Sequence, residues 1–336
     1  MRTRITSIVS RILIMFMISM MAVGASMAQP EIWKREGWKT DFSKTSIDLT
    51  EIMSGGPPRD GIPPIDRPVF VSVAGYKELS DRDPVIGLEI NGDARAYPLR
   101  VMIWHEIAND VVGGKPVTVT FCPLCNSAIV FEAMIDGKKL DFGTTGKLRN
   151  SDLVMYDRAT QSWWQQFTGE GIAGEYTGKL LKFVPARLES WADFKKRNPD
   201  GKVLIPNDPN MRSYGRNPYV NYDISPIPFL YRGAMPEGIS PMSRVVLVRG
   251  KTKDEAPYIV SLQRVREKGP IKNGDMTISW KKGQASALNG AQISESTDVG
   301  TVSVVRKTGS GDEIMGYDLT FAFVVTAFHP GVEIIQ

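Results

Sequence analysis

The chain has 336 residues, 42% hydrophobic and 23% charged, with a formal net charge of +4, two cysteines and two histidines. That length can bury a large core without disulfide support. Charges of both signs are interspersed with no dense basic stripe, which argues against a nucleic-acid partner, and two histidines exclude histidine-rich catalysis.

Arg2, Arg4 and Arg11 precede the apolar run Ile12 to Val23, and Ala25-Ser26-Met27-Ala28 supplies small residues for cleavage. Residues 1–28 therefore read as a signal peptide cut near Ala28. The run is short for a membrane span, no cysteine follows it for lipid attachment, and no later stretch nears the ~20 apolar residues a span needs. The mature protein is expected to be exported, periplasmic or secreted, and soluble. Its loss of three arginines brings it close to neutral.

Residues 29–68 form a Gly/Pro-rich lead-in around Ser54-Gly55-Gly56-Pro57-Pro58. Such a segment wraps a surface, borders a site or links. From Val69 to the end the pattern is that of one globular domain. Val85–Ile90, Asn91-Gly92 and Ala94–Tyr97 predict a hairpin, because Asn-Gly suits a turn with positive φ. Leu99, Met102, Ile103, Ile107 and Ala108 fall near helical spacing and predict a helix over 99–109 carrying His105 and Glu106. Val117–Phe121 predicts a buried strand running into Cys122. Ile129–Ile135, Asp136-Gly137 and Lys138–Phe142 predict a second hairpin, and Leu153–Tyr156 and Leu180–Val184 predict strands. Ser190 caps a helix bearing Trp191 and Phe194. Residues 212–241 are loop-like and rich in Tyr and Pro, and 244–328 alternates short strands with turns. The sum is an α+β, β-dominated domain of mixed or antiparallel sheets with a few short helices.

Cys122 and Cys125, in Phe121-Cys122-Pro123-Leu124-Cys125-Asn126, admit three readings. A structural disulfide suits an oxidising compartment, but so small a loop stabilises by on the order of 2 kcal/mol or less. A thiol–disulfide oxidoreductase would use Cys122 to attack and Cys125 to resolve, yet the β-branched residues that follow do not favour the helix that usually activates such a pair. A metal knuckle is the preferred reading, with His105 as third ligand and Met155 as the weakest choice for a fourth. Thiolate with thioether favours copper, with zinc as second choice. Glu106 and Asp110 could support His105, and His329 is an ordinary core or surface histidine until shown otherwise.

The segments Trp104–Asp110, Phe121–Ala128, Leu148–Arg158, Trp163–Glu170 and Ala327–Gly331 together resemble a family catalogued as domain of unknown function 3179. The resemblance covers nearly the whole mature chain. It implies membership in a group of mostly bacterial, often exported proteins and brings no activity with it.

Asp152, Asp157, Glu170 and Glu175 could pair as hydrolase carboxylates, although turn and surface roles fit them better. Arg149, Trp163 and Trp164 could line a ligand pocket, joined by Phe167, Tyr214, Tyr219 and Tyr222. A non-enzymatic module that binds a ligand or partner, with the cysteines oxidised to an idle structural disulfide, is the reading from a third class. Gly143-Thr144-Thr145-Gly146-Lys147 lacks phosphate-loop spacing.

Overall fold

The computed structural model describes residues 29–250, 255–309 and 311–336, so the expected signal peptide lies outside the described residues. The chain divides into two units, Met1–Lys39 and Thr40–Gln336. The described part of the first carries one helix, α1 (Gln29–Arg35), in which Lys34 pairs with Glu31 at 2.8 Å.

The second unit begins with β1 (Ile52–Ser54) and β2 (Val69–Ser72). The lead-in is thus no linker: β1 pairs antiparallel with a later strand, and Ile65 bridges Ala108. The predicted hairpin follows as β3 (Pro84–Ile90) and β4 (Asp93–Pro98), with Asn91 and Gly92 at φ 51° and 79° in its turn. Next, α2 (Leu99–His105) is shorter than expected. Glu106 takes φ +59° and stops it, and Ile107–Val112 forms β5 against β6 (Lys115–Cys122). The apolar spacing over 107–109 serves a strand because Ile107, Val111 and Val112 are β-branched and have a partner strand.

β7 (Ser127–Glu132) completes a hairpin with β6. The second predicted hairpin is divided: Asp136-Gly137 turns only the short ribbon β8 (Met134–Ile135) and β9 (Lys138–Lys139), and Phe142 opens a new strand. That strand, β10 (Phe142–Arg149), leads to β11 (Asp152–Asp157), β12 (Trp163–Gln165) and β13 (Gly171–Ala173). After β14 (Lys182–Val184) and β15 (Arg187–Ser190), Ser190 caps α3 (Trp191–Arg197) by accepting the Asp193 N–H at 3.2 Å. β16 (Lys202–Ile205) precedes a long irregular segment. The chain then runs through β17 (Arg244–Val248), β18 (Tyr258–Ser261) and α4 (Leu262–Lys268). Last come β19 (Ile271–Asn273), β20 (Met276–Lys281), β21 (Thr301–Thr308), β22 (Gly311–Ile314), β23 (Asp318–Phe321) and α5 (Ala322–Phe328).

Three of the sheets position the site. One has the order β1-β10-β11-β12-β13, a second β14-β7-β6-β5, and a third β18-β17-β23. Their inward faces share one apolar core containing Phe121, Phe131, Phe142, Trp164, Val246 and Phe321. Strands dominate and the helices are short, as the α+β reading expected.

Candidate functional site

Two hairpin tips from different sheets meet in this core. β6 ends at Cys122, Pro123–Cys125 makes one turn of 3-10 helix, and Asn126 takes the left-handed conformation so that Ser127 returns opposite Cys122. Proline suits the opening of that turn because its φ is already set and it has no N–H to lose. The tip is pinned from outside: Asn126 Nδ2 donates to the Leu319 carbonyl at 3.0 Å, and Thr320 Oγ1 to the Cys125 carbonyl at 2.8 Å.

The second tip joins β10 to β11 through two residues, with Arg149 paired to Asp152 across it. Asn150 and Ser151 have φ 53° and 64°, the pattern of a type I′ turn. Glycine is the usual second residue, and serine there costs about 1–2 kcal/mol. The turn aims the Ser151 carbonyl at both thiols, 3.8 Å from Cys122 Sγ and 3.5 Å from Cys125 Sγ. Asp152 follows at once. Its carboxylate and the two sulfurs all lie within 4.8 Å of one another, and all three residues are buried.

Asp152 is held by one oxygen. Gln165 Nε2 donates to Oδ2 at 2.6 Å and the Phe167 N–H at 2.9 Å. The other oxygen, Oδ1, is buried with no hydrogen-bond partner. The next residue fastens the two sheets together, since Gln166 Nε2 donates to Thr120 Oγ1 at 2.8 Å and Gln166 Oε1 accepts from Ser127 Oγ at 3.2 Å. Gln165 and Gln166 were in the recognised motif, but nothing in their spacing named these partners.

Burial raises the Cys122 thiol pKa, with Asp152 and Glu106 adding to it, and burial raises Cys125 well above its ordinary value. Burial lifts Asp152 to about 6 despite the bonds it accepts. Glu106 rises to about 8 through burial and the nearby Asp152. Among the described residues, no cationic side chain is a principal influence on any of these four acids. Buried acids in that position stay protonated or meet a cation.

His105 is directed elsewhere. Its Nδ1 lies 2.7 Å from the Pro63 carbonyl and its Nε2 2.8 Å from Tyr214 Oη, and the group formed by the cysteines does not include it. The imidazole leaves α2 on the side of the Pro63 loop. Met155 is also turned away: it stands three residues from Asp152 on one strand, hence on the opposite face, packed in the core. Asp110 serves Arg95 at 2.7 Å and Tyr97 Oη at 2.5 Å rather than His105. Trp163 and Trp164 are fully buried core residues, so they line no open pocket. Arg149 does approach, donating to Gln165 Oε1 at 3.4 Å while pairing with Glu51 at 2.7 Å. His329 packs against Phe167, and burial lowers its pKa to about 4.

The irregular segment covers the tips like a strap. Tyr222 Oη donates to the Leu124 carbonyl at 3.0 Å, between the cysteines, and Ser151 Oγ donates to the Phe229 carbonyl at 2.5 Å. A family model described as "Protein of unknown function (DUF3179)" matches residues 59–331, which takes in both tips and the strap, and the chain belongs to that family. No curated protein and no solved structure matches it.

Proposed function

We propose that this member of the DUF3179 family is an exported metal–thiolate protein in which Cys122, Cys125 and Asp152 hold one metal ion, zinc ahead of copper, in a metal-handling role. The observation that carries this reading is the buried Asp152 Oδ1, without a hydrogen-bond partner, beside two sulfurs, with no cationic side chain among the described residues a principal influence on the three acids. The histidine and thioether that favoured copper point elsewhere. Two thiolates and a carboxylate oxygen are a donor set that zinc accepts readily. Bound metal would supply the missing positive charge and displace the thiol protons.

Thiol–disulfide exchange is less well supported. Its attacking thiol needs a lowered pKa, and burial pushes both of these up. Export rests on the leader-like residues 1–28, and no helix among the described residues is long and apolar enough to cross a membrane.

Metal analysis of protein purified without chelator, paired with thiol counting, tests the reading. About one equivalent of metal is expected in the wild type, lost in Cys122→Ser and reduced in Asp152→Asn. A wild-type protein that takes up neither zinc nor copper(I), while its thiols cycle with a reductant, would replace it with the exchange reading.

A further inference from the structure

On the far side of the strap lies an open groove of about 860 Å³, walled by α4, the start of β17, Trp280 of β20 and strap residues Asp223 and Ile224. Four cationic side chains face it, Arg244, Arg264, Arg266 and Lys268, against two side-chain carboxylates, Asp223 and Glu267, with the last residue, Gln336, at the rim. The two carboxylates are occupied. Asp223 receives Arg244 at 2.8 Å and Ser286 at 2.6 Å, and Glu267 receives Gln263 at 2.8 Å. Among the described residues, Arg266 and Lys268 form no ion pair. Arg264 gives one nitrogen to the Gln336 carbonyl and leaves Nε buried without a partner. Arg266 lies over the Trp280 ring, 5.0 Å from its centroid. Ile239, Met242, Leu262 and Trp280 supply an apolar wall next to these charges.

We propose that this groove is a binding site for a small organic anion: a carboxylate or phosphate taken by Arg264 and Arg266, with an apolar body laid against Trp280 and Leu262. Guanidinium groups recognise such anions through paired N–H donors, and the size falls in the range of small-molecule sites. The assignment is independent of metal at the cysteines, because the polar partners of the two sulfurs, Ser151 and Asp152, do not line the groove.

Phenyl phosphate and phenylacetate, titrated calorimetrically into the full chain with and without chelator, test it. Phenol serves as the neutral counterpart and inorganic phosphate as the bare anion. At least one aryl anion is expected to bind at millimolar or lower concentration, more tightly than inorganic phosphate or phenol. Binding should weaken about tenfold or more in Arg264→Gln/Arg266→Gln. It should weaken less in Lys268→Gln, and not at all in Lys138→Gln on the β8–β9 ribbon. Unchanged affinity in a double variant with wild-type circular dichroism overturns the assignment, as does equal binding of phenol or no binding by either aryl anion. A loss of metal binding in Cys122→Ser with anion binding intact would separate the fate of this site from that of the thiol centre.

Discussion

Asp152 and Asp223 are both buried carboxylates, and the protein treats them in opposite ways. Burial opposes ionisation at each. At Asp223 the Arg244 guanidinium and bonds from Ser286 and Asn289 outweigh it and hold the pKa below the ordinary value. At Asp152 the Gln165 and Phe167 donors and the two thiols do not offset burial, no cationic side chain among the described residues is a principal influence, and the pKa climbs to about 6. A folding unit needs the first kind of acid as a satisfied crosslink. The second kind costs stability unless something outside the chain completes it, which is why we place function there.

The largest test of the contrast is Arg244→Met. It strands Asp223 and should cost about 3–5 kcal/mol in urea unfolding; a loss below about 1 kcal/mol would mean the two acids do not differ as described. Next is pH. In metal-stripped protein the raised Asp152 contributes stability that is fully present below its unfolded pKa, near 3.8, and is lost as pH rises through about 6. The loss is up to about 3 kcal/mol. Asp223 has the opposite sign, its contribution being lost as pH falls into the acid range. Comparing wild type with Asp152→Asn from acid to neutral pH isolates the first, and a stability difference independent of pH would sink it.

Smaller again is Asp152→Asn by itself. Removing the uncompensated carboxylate should stabilise metal-free protein by about 1 kcal/mol near neutral pH while weakening metal retention. The smallest is Ser151→Gly. Relief of the left-handed serine, about 1 kcal/mol, roughly cancels the lost hydroxyl bond to Phe229. Stability should barely change, while limited proteolysis cuts the strap sooner. Unaltered cleavage would show that the bond does not hold the strap.

Local patterns were readable where local physics decides. Asn91-Gly92 wrote its own turn, Ser190 its own cap, and the β-branched run ahead of Cys122 its own strand. The cysteine pair was visible because scarcity singled it out. Its partner was not. Asp152 reaches the sulfurs only because hairpins from two separate sheets point their tips at one another, and no residue spacing encodes that meeting. His105 misled because closeness in sequence to Cys122 does not fix the side on which its imidazole leaves the helix, and it leaves toward Pro63. Met155 misled by parity, three places along a strand being the wrong side.

The two bonds that pin the cysteine turn come from residues almost two hundred positions later. Until β23 docks, the cysteine turn lacks both of these bonds. Completion of the thiol pocket is thereby tied to the docking of the last strand rather than to the hairpin that carries the sulfurs.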